Sequence, residues 1–165
     1  MGMMPVEPEN DADRRTEGSL STLKALTALD VFPKPSDLGP RDWGREVVLG
    51  VVSGAFSLKR LEMRAGTRGG LQFHRCKHEV AVLISGTMIV RHVAPSGELT
   101  EREVSAGEVV HFAPGVVHQE IAVTDCVLIE ASTPHFNDRV RVESEFGEAD
   151  GKGLPTTVED QIVAL

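Results

Sequence analysis

Polar and apolar positions divide the chain into distinct textures. Residues 1–18, MGMMPVEPENDADRRTEG, are acidic, proline-containing and without periodicity, so a disordered tail is expected there. From Ser19 onward Leu20, Leu23, Leu26 and Leu29 recur every three residues behind a serine, which predicts one short helix ending before Pro33. Beyond Trp43 the pattern changes to short runs rich in Val, Ile, Leu and Phe, at 46–52, 55–63, 71–74, 80–85, 88–93, 99–104, 109–112 and 127–132. Turn residues separate them, among them Gly69-Gly70, Ser85-Gly86, Pro95-Ser96-Gly97, Ala106-Gly107 and Pro114-Gly115. Short strands at this spacing predict an all-β sandwich or barrel filling 19–146, with the glycine-rich acidic stretch 147–165 peripheral to it. No internal repeat is visible, so the barrel is a single unit.

Composition agrees with one soluble domain: 165 residues, 41% hydrophobic and 25% charged. A formal charge of −8 without any Lys/Arg run speaks against nucleic acid and anionic membrane as partners. That charge is unevenly placed. Residues 1–18 carry five acids and two bases and residues 143–165 six acids and one base, which leaves 14 of each between them. The acidity therefore belongs to the ends and does not oppose an anionic small molecule. With no tyrosine, no phenol can serve as acid, base or clamp. Cys76 and Cys126 form no C-x-x-C pair, so neither a zinc ribbon nor a disulfide framework is indicated. The N-terminus lacks a basic and then apolar leader, and no apolar run is long enough to span a bilayer. A cytoplasmic location is expected.

All six histidines fall in the β-rich middle. Gln72 and His74, two apart on a predicted strand, point to one face, and Glu79 opens the next strand ahead of the Ser85-Gly86 turn. His118 follows the tight turn at Pro114-Gly115, which can carry an imidazole across from a distant strand. Two imidazoles, a carboxylate and an amide oxygen converging in a barrel make a site for one divalent ion: zinc first, with Fe(II), Mn or Ni as the other choices. Such an ion polarises a carbonyl and the neighbouring hydroxyl, which eases the proton removal that aldose–ketose isomerisation needs. Glu79, His111 and Glu130 are the candidate proton-handling groups, although His111 and Glu130 also read as ordinary structural residues. Six bases between Lys59 and Lys77 stand against one acid, so Lys77 is a candidate contact for a phosphate or carboxylate. His78 should face away from Glu79 by strand alternation, and Cys76 reads as a loop residue.

The runs Gly66-x5-Gln72-x-His74-x4-Glu79-x6-Gly86 and Gly107-x7-Gly115-x2-His118 resemble the two motifs of the cupin superfamily, with Gln72 in place of the usual first histidine. The resemblance implies a jelly-roll barrel, a double-stranded β-helix. More narrowly, Gly70-Leu71-Gln72-Phe73-His74, His78-Glu79 and Ser85-Gly86-Thr87 are similar to the cupin domain of type II phosphomannose isomerases. Leu128-Ile129-Glu130, Asp138, Val140-Arg141, Glu143 and Phe146-Gly147 are similar to that family's C-terminal stretch. This implies a metal-dependent isomerase or epimerase of a sugar, sugar phosphate or related polyhydroxy carbonyl compound, with Arg141 and then Arg139 as substrate contacts. The chain departs from those enzymes in lacking their nucleotidyltransferase domain, in a shorter loop before Asp138, and in Val80 where they carry an aromatic. An Fe(II)-dependent dioxygenase and a non-enzymatic metabolite-binding cupin are the rival classes. Exposed strand edges make a homodimer the expected assembly.

Overall fold

The computed structural model describes residues 29, 31, 32, 34–135, 138–149 and 156. The expected tail at 1–18 and nearly all of the expected helix after Ser19 lie outside them, as does most of 147–165. Among the described residues the fold is all β apart from a 3-10 turn at Glu143–Phe146. The strands are β1 Ser36–Arg41, β2 Gly44–Val52, β3 Phe56–Met63, β4 Gln72–His74, β5 Glu79–Ser85 and β6 Thr87–Val93. They are followed by β7 Leu99–Ser105, β8 Val109–Phe112, β9 His118–Ala122, β10 Cys126–Ser132 and β11 Arg139–Arg141. All pairings are antiparallel. One sheet runs β1-β2-β3-β10-β5-β8 and the other β11-β4-β9-β6-β7.

The two sheets share one apolar core. Met63, Leu83, Phe112, Cys126 and Leu128 come from the first, and Met88, Val90, Val104 and Ala122 from the second. Leu83 and Met88 are fully enclosed, and each such side chain contributes about 1.5–3 kcal/mol of burial. Strand alternation decides who points inward. On β5 that is Glu79, Ala81 and Leu83, with Val80 and Ile84 outside. On β10 it is Cys126, Leu128, Glu130 and Ser132. Along both strands the inward face is apolar at one end and charged or hydroxylic at the other. Register brings the polar ends together, with Ser132 beside Glu79 on one side and Ser57 on the other. The Ser57 and Ser132 hydroxyls are hydrogen-bonded at 2.9 Å. The barrel therefore has an apolar floor and a polar half, and the site lies in the polar half.

Gly86 makes the abrupt reversal from β5 to β6 possible. Its φ is +95°, and an added Cβ would stand 2.3 Å from the Asp125 carbonyl oxygen. Gly86→Ala is expected to cost roughly 2–4 kcal/mol, from the strained φ and the overlap together. Urea unfolding checks this; a loss below about 0.5 kcal/mol would mean that the turn relaxes freely.

Candidate metal centre

His74, the last residue of β4, is buried, and its Nδ1 lies 2.6 Å from Asp138 Oδ1. Burial alone would raise the Asp138 carboxyl. The hydrogen bond from His74 and those from the Cys76 and Lys77 amides outweigh it and hold the group at about 2. Asp138 is thus a carboxylate that can only accept, so Nδ1 of His74 carries the proton and Nε2 presents a lone pair. The two amide bonds to Asp138 Oδ2 measure 2.9 and 2.8 Å.

His118 is built differently and ends up in the same tautomer. Gly115 N–H donates to the His74 carbonyl at 2.8 Å, so the Pro114-Gly115 turn is fastened to β4. His118 Nδ1 donates to the Val116 carbonyl at 2.9 Å, and Phe112 stacks on the ring at 3.9 Å between centroids. On the neutral ring Nε2 is again the bare nitrogen. Between the two rings stands Glu79, with Oε1 3.3 Å from His74 Nε2 and Oε2 3.5 Å from His118 Nε2. Burial would raise Glu79, but Lys77, His118 and His74 around it hold it well below the carboxylate range. Burial pushes His74 below the ordinary histidine value. It would push His118 down too, but the Glu79 and Glu120 carboxylates hold that group above.

The donor set fits a divalent cation. One ligand atom from each of these three buried residues can lie within 4.8 Å of the others. As neutral rings both imidazoles turn an Nε2 lone pair toward a carboxylate, acceptor facing acceptor, and His74 Nε2 is buried without a hydrogen-bond partner. A cation satisfies all three at once. Gln72 sits opposite His118 in register and lines the same cavity of about 410 Å3, where its amide oxygen is a further neutral donor.

The other sequence candidates divide. Glu130 lines the cavity and is buried. Burial first, and then the Glu79 charge, push its carboxyl up to about 7. Lys77 also lines it, with Nζ 2.5 Å from Glu79 Oε1. Arg139 and Arg141 stand opposite His74 and Gln72 on β11 and face the cavity. The Arg141 guanidinium is forked by Glu143 and lies over Gly70, where a side chain would crowd it. His111 is elsewhere. The structure does not bring it to the cavity: inward Phe112 puts its neighbour outside, where His111 Nε2 meets His78 Nδ1 at 3.2 Å. Cys76 is exposed and outside the cluster.

Three residues of the site had no role in the sequence reading. Asp138 orients His74. Lys59 and Glu46 enter the cavity as a buried ion pair at 2.9 Å, with Lys59 also 3.7 Å from Glu130. Residue type gave no signal for any of them: Asp138 reaches His74 from 64 positions away, and Glu46 and Lys59 meet diagonally across the β2–β3 pairing.

Residues 44–148 match the sequence pattern of the cupin family. The chain belongs to the cupin family. No curated protein matches it in sequence. Among solved structures, this cupin is similar to the capsular polysaccharide assembling protein CapF of Staphylococcus aureus, at 20% identity and a TM-score of 0.55 over 78% of this chain and 32% of that one. It is also similar to oxalate decarboxylase of Bacillus subtilis, at 16% identity and a TM-score of 0.57 over 78% of this chain and 42% of that one. The cupin thus spans less than half the length of either protein, and the likeness is one of fold. Among the described residues no helix is long and apolar enough to cross a membrane.

Proposed function

We propose that this cupin is a metal-dependent isomerase or epimerase acting on a sugar, sugar phosphate or related polyhydroxy carbonyl compound. The observation that carries the reading is a single cavity in which a His74–Glu79–His118 donor set and a buried carboxyl, Glu130, are exposed to the same small volume. A divalent ion held by these three residues, with Gln72 as a fourth donor, supplies Lewis acidity toward a carbonyl and its neighbouring hydroxyl. Glu130, whose carboxyl burial and the Glu79 charge push up to about 7 in the metal-free protein, is placed to take a proton from carbon and return it. It stands on β10 one diagonal step from Glu79. Arg41, Arg139 and Arg141 line the same cavity and suit a phosphate or carboxylate on the substrate.

Protein loaded in turn with Zn, Mn, Ni and, without air, Fe(II) is expected to exchange a carbon-bound proton of an aldose or ketose phosphate with D2O, read by NMR. Binding without exchange would instead favour a metabolite-binding cupin. Oxygen uptake by the Fe(II) form would shift the assignment to a dioxygenase. If no metal binds, the catalytic reading falls.

A further inference from the structure

Glu79 Oε1 already holds one cation where a metal ion would also bond. The Lys77 ammonium lies 2.5 Å from it, and the bare Nε2 of His74 lies 3.3 Å from the same atom. Lys77 is no surface residue that folds back on occasion. Its side chain is 6% exposed, and its main-chain N–H is held at 2.8 Å by the Asp138 carboxylate that orients His74. One buried anion therefore fixes both a metal ligand and the root of a cationic arm reaching the next ligand.

A divalent ion bonds a carboxylate oxygen at about 2.0–2.2 Å, so an ammonium kept on the same oxygen would remain within about 5 Å of it among buried side chains. Two cations that close, sharing one carboxylate, repel each other and divide its charge. The imidazoles cannot yield, since each has its Nδ1 tied down. Lysine can, because its four-carbon stem swings.

We infer that Lys77 is a tethered competitor for the metal: its ammonium and the divalent ion alternate on Glu79 Oε1, and loading releases the ammonium into the cavity to meet an anionic group of the substrate. The inference rests on the metal reading above. A tethered competitor acts at a high effective concentration, so it weakens metal binding by a constant factor and couples metal occupancy to the charge offered to the substrate. Without it, Glu79 would be a buried carboxylate with only two imidazoles beside it.

The test uses the full chain, with Zn2+ and Mn2+ as probes titrated against a chromophoric chelator. Lys77→Met keeps the stem and removes the charge, and it is expected to bind both ions at least about tenfold more tightly than the parent. In a second arm the parent protein is reductively methylated with and without Zn2+, and each lysine is followed by mass spectrometry. Lys77 labelling is expected to rise several-fold with the ion while exposed Lys34 does not change. Equal or weaker binding by Lys77→Met, or protection of Lys77 by Zn2+, would overturn the competition and leave Lys77 as a partner of Glu79 in the loaded site. If Lys77→Met does not fold, the labelling arm decides alone. Should neither protein bind an ion, the metal reading falls, and this inference with it.

Discussion

Asp138→Ala is expected to remove roughly 3–5 kcal/mol of stability and to weaken metal binding by about 10–100-fold. The side chain is completely buried and accepts from His74 Nδ1 and from the amides of Cys76 and Lys77. Truncation leaves two buried donors and one part-buried donor without an acceptor, and each buried orphan costs about 1–3 kcal/mol before any relaxation. It also frees His74 to rotate or change tautomer, and Nε2 then no longer faces Glu79. Asp138→Asn separates the two losses. Its oxygen can serve one side of the cluster but its NH2 confronts donors on the other, so an intermediate stability with metal affinity near that of Ala is expected. Urea unfolding and chelator competition measure the two effects. A variant within about 1 kcal/mol of the parent that binds Zn2+ equally well would show that Asp138 only fills space.

Glu130→Gln is expected to lower turnover by about 10²–10⁴-fold while leaving metal content unchanged, the size of effect when a proton-transferring group is lost. The same substitution has a readout that needs no substrate. Glu130 sits at about 7 in the fold against an ordinary 4.5, so the folded chain holds its proton where the unfolded chain has released it. The protonated form favours folding, and that contribution is present in full below about 4.5 and fades as the pH rises through about 7, by an amount on the order of 3 kcal/mol. Glutamine carries no such proton. From pH 5 to pH 8 the parent should therefore lose stability relative to Glu130→Gln, while Lys59 keeps its contact with Glu46 in both. Unfolding curves of the two chelator-treated proteins that run parallel across this range would refute the assignment.

Eight of the strands were legible because their apolar positions alternate between clear turns. The other three, β1, β9 and β11, escaped for physical reasons. β1, SDLGPR, is an exposed edge strand containing glycine and proline. β11 has three residues, two of them arginines turned to the cavity. β9, HQEIA, reads as polar because His118 and Glu120 of its inward face line a charged cavity rather than the core. A strand that lines a functional pocket loses the hydrophobic alternation that announces strands. For His111 the sequence left two readings open, a proton-handling group or a structural residue, and the structure places it beside His78 outside the cavity, because inward Phe112 turns its neighbour outward. The His74, Glu79 and His118 cluster was readable from motif spacing, whereas the Asp138 support was not, since spacing along the chain says nothing of which loop closes over a strand.

The β4–β11 pairing and the Asp138 bonds have a consequence for biosynthesis. His74 and its orienting carboxylate are 64 positions apart in the chain, and neither β11 nor Asp138 exists when the three ligands have already been synthesised. An unfolded chain with these donors but not this geometry would rank ions only by the intrinsic order of their affinities. Selection by shape begins once the chain has grown past Arg141 and β11 has docked. For an ion held at this site, the choice would thus rest with the folded barrel and the ion pool it meets rather than with the first ion to reach an emerging histidine.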